Sequence, residues 1–184
     1  LNQTNFEVAL PENIRNQAKL AVKDEYTFDF LELADEHSER QLEQAILARV
    51  EPFLLEMGGM FSFVGSQYRL EVGGKEYFID LLLFHRRLRL LVAIDLKIGE
   101  FQPEHVGKMQ FYLAILDDTV RFEEENPSIG ILICKSKDRT IVEYALKESS
   151  KPIGVATYRM VTSVPNELRN DLPTPEQISK LLGD

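Results

Sequence analysis

The 184-residue sequence predicts an α/β domain with a mixed central β-sheet flanked by helices. Three observations predict this class. Helix and strand patterns follow one another in the order α-β-β-β-α-β-α-β. A Gly-Gly pair at Gly73 and Gly74 joins the first two strands, which is typical of an antiparallel hairpin. Helical segments separate the later strands, as expected for crossover connections.

Residues 1–37 show only weak periodicity. Residues 11–24 are compatible with a short helix, and residues 26–33 with a packing segment. We interpret residues 1–37 as an arm, or as a connection to a region upstream. Because the sequence begins with Leu1 rather than Met, we expect a fragment of a longer protein.

The first strong helix signal begins at Ser38, which forms a capping box with Gln41. Apolar residues then recur at helical spacing. They are Leu42, Ile46, Val50, Phe53, Leu54 and Met57. Pro52 should kink this helix, and Gly58 and Gly59 should end it.

Three strands are predicted next, at residues 61–72, 75–84 and 88–98. The first is interrupted near Gly65. The second is apolar at both parities, which indicates burial on both faces of the sheet. The basic segment 85–89, HRRLR, turns the chain from the second strand to the third.

The second half alternates helices with strands. A helix begins near Pro103 and continues over residues 104–118, and a further helix covers 139–149. Strands are predicted at 128–136 and 153–159. One short helix is expected in the tail, residues 166–184, so that the predicted domain covers residues 38–165.

Composition excludes several classes of protein. The first residues do not form a signal peptide, and no apolar run approaches the length of a membrane span. The net charge of −9 argues against broad attraction to nucleic acid, but it does not exclude a local basic groove. The one cysteine, Cys134, indicates a buried thiol and fits a reducing, cytoplasmic setting. Nucleotide-binding and GxSxG patterns are absent, and His37, His85 and His105 lack zinc spacing.

Three charged residues interrupt the apolar strands: Asp80, Asp95 and Lys97. An unpaired ion in a dry core costs several kcal/mol, so these residues are paired, placed at a strand end, or bound to a cation. If the turn centres near residue 87, Asp80 falls close to Asp95, with Lys97 on the same face. Two acids, with the Leu96 carbonyl between them, could hold Mg²⁺, and the lysine could activate water for phosphodiester hydrolysis. The alternative is structural: an Asp95–Lys97 ion pair, with Asp80 capping a loop or binding backbone N–H groups.

Asp80 followed by Asp95-Leu96-Lys97 resembles the PD-(D/E)XK motif of restriction-endonuclease-like nucleases. Longer segments resemble the C-terminal nuclease domain of the bacterial YhcG-like family, over roughly residues 25–180. They include residues 53–101, 107–118, 126–146 and 151–158. The resemblance implies a restriction-endonuclease-like α-β-β-β-α-β core and an endonuclease that depends on Mg²⁺ or Mn²⁺.

The same resemblance implies roles for individual residues. Asp80 and Asp95 match the two acids, with Ile79 in place of the motif proline and aspartate where the second acid is more often glutamate. Lys97 matches the motif lysine. Glu43 on the first helix matches a glutamate that adds a metal ligand, although a solvated helix glutamate is an equal alternative. Gln110 resembles a polar residue that many such nucleases add to the site.

Other residues could contact nucleic acid. Gln67, Tyr68 and Arg69 could face substrate from the first strand, and Lys108 could reach a phosphate from the second long helix. Arg86 and Arg87 belong to the densest basic cluster, whose alternative interpretation is a solvated turn. The expected partner is DNA, with branched or otherwise structured nucleic acid, a homodimer and an upstream DNA-binding domain left open.

Three functions follow from these patterns. The first is a metal-dependent nuclease acting on DNA phosphodiesters. The second is a nucleic-acid-binding or assembly module that keeps the fold without catalysis, and the third is a structural domain that forms a homodimer. The intact set Asp80, Asp95 and Lys97 favours the first.

Overall fold

The computed structural model describes residues 2–160 and 173–183. The strands are β1 (Gln3–Thr4), β2 (Glu25–Thr27), β3 (Phe61–Val72), β4 (Lys75–His85), β5 (Leu90–Glu100), β6 (Ile129–Ser136) and β7 (Ile153–Arg159). The helices are α1 (Phe6–Ala9), α2 (Glu12–Leu20), α3 (Glu39–Ala48), α4 (Val50–Met57), α5 (Glu104–Thr119), α6 (Arg139–Lys147) and α7 (Pro175–Leu181).

The strands form one mixed sheet in the order β1-β7-β6-β5-β4-β3, and β2 also pairs with β7. The β3-β4-β5 meander is antiparallel, whereas β5, β6 and β7 are parallel and are joined by crossovers through α5 and α6. This topology confirms the predicted fold class. It also places the change from antiparallel to parallel pairing at β5, the strand that carries Asp95 and Lys97.

Each face of the sheet covers its own hydrophobic core. On one face, the N-terminal segment, α3 and α4 pack on the side chains of Leu81, Val92 and Ile94. On the other face, α5 and α6 pack on Leu82 and Ala93. Because the strands are buried on both sides, a charged side chain inside them needs a partner or an opening to solvent.

The predicted kinked helix is two helices. The break lies at Arg49, where φ is −130° and ψ is 48°, three residues before Pro52. Proline lacks the N–H that would bond to the carbonyl of Ala48, and its ring clashes with that carbonyl. Pro52 therefore lies in the first turn of α4, and the helix is interrupted at Arg49 instead of continuing through a kink.

The interpretation of residues 1–37 as an arm differs from the structure. β1 pairs with residues 154 and 155 of β7, and β2 pairs with residues 157–159 of the same strand. Phe6, Tyr26 and Phe28 are fully buried, and the Asn5 amide bonds to the backbone at Ser149, Lys151 and Ile153. The segment is therefore part of the domain's core, and the predicted helix within it is observed as α2.

Two further sequence predictions concern the ends of elements. β5 begins at Leu90 rather than at residue 88, because Arg89 adopts a positive φ of 53° and closes the turn first. The predicted boundary at residue 165 lies outside the described residues, while α7 confirms the short tail helix. Within residues 2–160 and 173–183, no helix is both long and apolar enough to cross a membrane.

Candidate active site

Two carboxylates meet where β4 and β5 stop pairing. The last backbone pair of the ladder joins Leu81 to Ile94, and the next two residues in register are Asp80 and Asp95. Beyond that pair the backbone N–H of Leu96 donates to Asp80 Oδ2 at 2.8 Å. The Asp80 side chain thus takes the place of a backbone hydrogen bond between β4 and β5. Both acids lie where the two strands stop pairing. This confirms the proximity expected from the turn.

Asp95 is 4% exposed, and one of its oxygens is unusual. Oδ2 is buried and has no hydrogen-bond partner within the described part of the chain. The nearest cation is Lys97 Nζ, 3.4 Å away, and Nζ also lies 3.7 Å from Glu39 Oε1 of α3. A buried polar atom without a hydrogen bond is costly, so this oxygen is available to a ligand.

The surroundings of Asp80 change its ionisation. Burial and the neighbouring Asp95 carboxylate raise the pKa of Asp80 to about 7, while the Leu96 hydrogen bond and Lys97 act in the opposite direction. Burial alone would lower the pKa of Lys97, but Asp95, Glu39 and Asp80 together raise it. The lysine is therefore a charged ammonium beside two crowded carboxylates.

A third carboxylate reaches the site from α3. Glu43 is 9% exposed, so the alternative of a solvated helix glutamate is wrong. The Gln67 amide on β3 joins Glu43 to Asp80: its Nε2 donates to Glu43 Oε2 at 2.7 Å and to Asp80 Oδ1 at 3.2 Å. Burial and the charge of Asp80 raise the pKa of Glu43, while the Gln67 hydrogen bond opposes that shift.

The backbone of β3 places the Gln67 side chain. A bulge between Phe63 and Gly65 shifts the register, so that Ser66 pairs with Leu81 and Tyr68 with Ile79. Gln67 stands between these pairs, across from Asp80, with a positive φ of 44°. Non-glycine residues rarely adopt this conformation, and bulges often redirect a side chain beside an active site.

A cleft of about 460 Å³ opens beside these groups. Its lining is mostly polar and comes from α3, β3 and β4. The lining residues are Glu39, Arg40, Glu43, Gln44, Leu47, Gln67 and Asp80. Solvent can therefore reach the Asp80 carboxylate from the α3 side.

The donor set fits a hard divalent cation. The described residues contain no group of three or more His, Cys, Asp or Glu side chains placed to hold a metal by themselves. Mg²⁺ is commonly held by one or two carboxylates, with water and substrate phosphate oxygens completing its shell. Asp80 and Asp95, with the unbonded Oδ2 of Asp95, form such an open set.

Several predicted residues lie elsewhere. The Gln110 amide oxygen accepts hydrogen bonds from Ser150 at 3.1 Å and 3.4 Å, so the structure does not bring this residue to the acids. Arg69 is held by Glu71 and Glu76 at 2.9 Å and 2.8 Å. Arg86 and Arg87 follow the C-terminal end of β4, in the turn to β5, whereas Asp80 lies in the middle of that strand.

Two residues near the site were missed by sequence reasoning. Glu39 contacts Lys97, and His105 at the start of α5 lies within electrostatic range of Lys97 and Lys108. His105 Nδ1 accepts a hydrogen bond from the Gln102 N–H at 3.1 Å, and burial together with Lys97 lowers the pKa of His105. Glu39 precedes Glu43 by one helical turn, a spacing that could have indicated it. No sequence pattern indicated His105.

The chain matches a known family over most of its length. Residues 19–173 match the family model of the YhcG PDDEXK nuclease domain. The chain is 38% identical over 149 residues, 81% of its length, to "Putative nuclease YhcG" of Escherichia coli (strain K12), and it spans 39% of that relative.

Two solved structures show a distant likeness. One is the crystal structure of a repair endonuclease from Pyrococcus abyssi, with 17% identity, coverage of 70% of this chain and 49% of that chain, and a TM-score of 0.42. The other is an EndoMS–dsDNA2 complex, with 17% identity, coverage of 75% and 50%, and a TM-score of 0.45.

Proposed function

The chain belongs to the family of YhcG PDDEXK nuclease domains, and from that membership we propose that it is a divalent-metal-dependent nuclease acting on DNA phosphodiester bonds. Membership confirms the family predicted from Asp80 and the Asp95-Leu96-Lys97 triplet. The metal dependence, the residue roles and the substrate are the proposal. The domain spans 39% of its curated relative, so the activity of the longer protein belongs to the proposal as well.

One observation carries the proposal: the acid pair at the end of the β4–β5 ladder. Asp80 is fixed by the Leu96 N–H at 2.8 Å, and Asp95 keeps a buried oxygen without a hydrogen bond. The Asp95–Lys97 ion pair is itself present, with Nζ 3.4 Å from that oxygen, and it leaves the oxygen without a hydrogen bond. An acid pair in which burial and the charge of Asp95 raise the pKa of Asp80, and which opens on a cleft, suits a bound cation better than a packing role.

Asp80 and Asp95 would hold Mg²⁺ or Mn²⁺, with the Leu96 carbonyl as a further candidate ligand and Glu43 beside Asp80. The bound ion supplies Lewis-acid polarisation of the phosphate and a lower pKa for a bound water. Lys97, as a charged ammonium 3.4 Å from Asp95, orients the attacking water and stabilises negative charge that develops on the phosphate.

DNA is the proposed substrate because the motif resembles that of restriction-endonuclease-like nucleases. Lys108 lies one turn of α5 beyond His105 and is exposed, so it can meet a backbone phosphate, and both Lys108 and Lys97 act electrostatically on His105. With a net charge of −9, such local cations must provide the contacts, since the domain as a whole repels nucleic acid.

The test is a cleavage assay with supercoiled, linear and branched DNA and an RNA of matched sequence, in Mg²⁺ and in Mn²⁺. Asp80→Asn is the matched control, since it keeps the size of the side chain and an oxygen that can accept the Leu96 N–H. We expect the parent to cut DNA only with metal and the variant to be at least a hundredfold slower. Cleavage of RNA but not of DNA would overturn the proposed substrate. Equal cleavage by the parent and by Asp80→Asn would overturn the proposed site.

A further inference from the structure

The Gln67 amide lies between two carboxylates that come from different elements. Its Nε2 is 2.7 Å from Glu43 Oε2 on α3 and 3.2 Å from Asp80 Oδ1 on β4. An amide NH₂ group carries two hydrogens, so it donates one to each carboxylate. The Gln67 side chain therefore bridges the two acids, and all three residues line the cleft.

The position of this amide carries a backbone cost. Gln67 has a φ of 44°, in the left-handed region that glutamine rarely adopts, and it follows a bulge in the edge strand of the sheet. Such a conformation persists only where surrounding interactions fix it, and it occurs most often at functional sites. The side chain is exposed, so its two hydrogen bonds to carboxylates, rather than burial, hold it in place.

The charges around Gln67 explain what the amide does. Lys97 Nζ contacts Asp95 and Glu39, and no ion pair joins it to Glu43 or Asp80 among the described residues. Arg40 acts on the charge of Glu43 and Lys97 on that of Asp80, but among the described residues neither acid forms an ion pair. The partly positive NH₂ group takes the place that a cation would take between two carboxylates.

We infer that the Gln67 amide fills the position of a second divalent cation between Glu43 and Asp80, and so limits the site to the one ion held by Asp80 and Asp95. The inference rests on the proposed function and adds a role for a positioning residue. It corrects the expectation that Gln67 contacts nucleic acid, because the amide is directed at the acids.

Gln67→Glu tests this directly, because the variant has the same shape and replaces the NH₂ donor with a carboxylate oxygen. Three carboxylates then face one another, and a second ion is needed to hold them together. Ser66→Glu is the matched control: it adds the same charge one residue earlier on the same strand, at the position that pairs with Leu81.

The measurement is the number of Mn²⁺ ions bound per chain, by titration calorimetry and by electron paramagnetic resonance of free Mn²⁺. Protein purified in Mn²⁺ is also counted by elemental analysis after gel filtration, so a variant that is unstable without metal still gives an answer. We expect one ion for the parent and for Ser66→Glu, and two for Gln67→Glu. We also expect Mn²⁺ to raise the melting temperature of Gln67→Glu more than that of the parent.

The other outcomes are distinct. Two ions in the parent, or one ion in Gln67→Glu, would overturn the inference and leave the nuclease proposal standing if the parent cuts DNA. A second ion in Ser66→Glu as well would also overturn it, since added charge alone would then be sufficient. A parent that binds no ion and cuts no DNA would overturn both proposals.

Discussion

Both oxygens of Asp80 are engaged, and one of them bonds to the backbone of Leu96. Asp80 Oδ2 accepts the Leu96 N–H at 2.8 Å, and Oδ1 accepts the Gln67 amide at 3.2 Å. Asp95 differs, because its Oδ2 is buried without a hydrogen bond. The site thus contains one carboxylate, Asp80, whose orientation is fixed by hydrogen bonds to both oxygens. The other, Asp95, has an oxygen that accepts no hydrogen bond.

Replacing Lys97 should separate catalysis from metal binding. We expect Lys97→Ala to lower the cleavage rate by about a hundredfold or more, because a cation 3.4 Å from Asp95 is lost from the place where charge develops. Mn²⁺ affinity should be unchanged or tighter, since the lysine repels the ion. Cleavage assays and calorimetry on one preparation check this, and a variant that cuts as fast as the parent would remove the catalytic role.

The raised pKa of Asp80 predicts how stability depends on pH without metal. The folded state holds the proton up to about pH 7, whereas an unfolded aspartate releases it near 3.8. The stabilisation is therefore complete below about pH 4 and is lost as the pH rises through 7, by on the order of a few kcal/mol.

In EDTA we expect the melting temperature to fall between pH 5 and pH 8, and Asp80→Asn to flatten this slope. Mn²⁺ at pH 8 should restore stability in the parent alone, because the ion replaces the proton between the carboxylates. An identical slope in the two proteins would assign the pH dependence to other groups.

The cations nearest the acids should contribute most to DNA binding. Lys108 and Lys97 both act electrostatically on His105, whereas Arg86 lies six residues beyond Asp80 in the chain, about 20 Å away. We expect Lys108→Ala to weaken binding and to reduce the slope of log K against log salt by about 1. Arg86→Ala serves as the matched charge control and should change neither. Fluorescence anisotropy at several salt concentrations gives both quantities, and the reverse ranking would move the DNA to the turn end of the sheet.

Two glycines should respond in opposite ways to alanine. A Cβ at Gly130 on β6 would lie 2.5 Å from Cγ and 2.6 Å from Sδ of the fully buried Met109, while a Cβ at Gly107 on α5 would meet nothing within 4 Å. We expect Gly130→Ala to lower the free energy of unfolding by about 1–3 kcal/mol. Gly107→Ala should raise it by about 0.5–1 kcal/mol through better helix propensity. Urea denaturation measures both, and equal values would show that Met109 moves aside freely.

The N-terminal segment should depend on Asp24, which pairs with both Lys137 and Arg139. Lys137 Nζ lies 2.6 Å from Asp24 Oδ1, and the lysine side chain is 4% exposed. Removing Asp24 leaves this ammonium buried without its counter-ion, so we expect Asp24→Ala to cost roughly 1–3 kcal/mol, allowing for the partial exposure of Asp24. Glu25→Ala, which breaks the exposed pair with Arg159, should cost about 0.5 kcal/mol or less. Thermal unfolding compares the two, and similar losses would contradict a special role for Lys137.

The proximity of Asp80 and Asp95 could be predicted because residues equally far from a hairpin turn lie opposite each other. A turn centred near residue 87 places Asp80 opposite Asp95, and the strand alternation places Lys97 beside them. Gln67 could not be assigned in this way, because its direction depends on a bulge and a positive φ that local propensity does not favour. Gln110 was taken from resemblance alone, and the orientation of α5 directs it to Ser150.

The N-terminal strands were missed for a different reason. β1 and β2 are two and three residues long, too short to show an alternation, and they depend on pairing with β7, more than a hundred residues later in the chain. Long-range pairing of such short segments leaves no local pattern to detect.

Two short strands, β1 and β2, share one edge of β7, and this pairing affects the solubility of the domain. One side of β7 pairs with β6, and the other is shared by β1, which covers its first half, and β2, which covers its second. A fragment trimmed to begin at residue 19, where the family match starts, would lack β1 and expose unpaired backbone beside Gly154 and Val155. Exposed strand edges recruit other chains, so the first few residues protect the domain against aggregation.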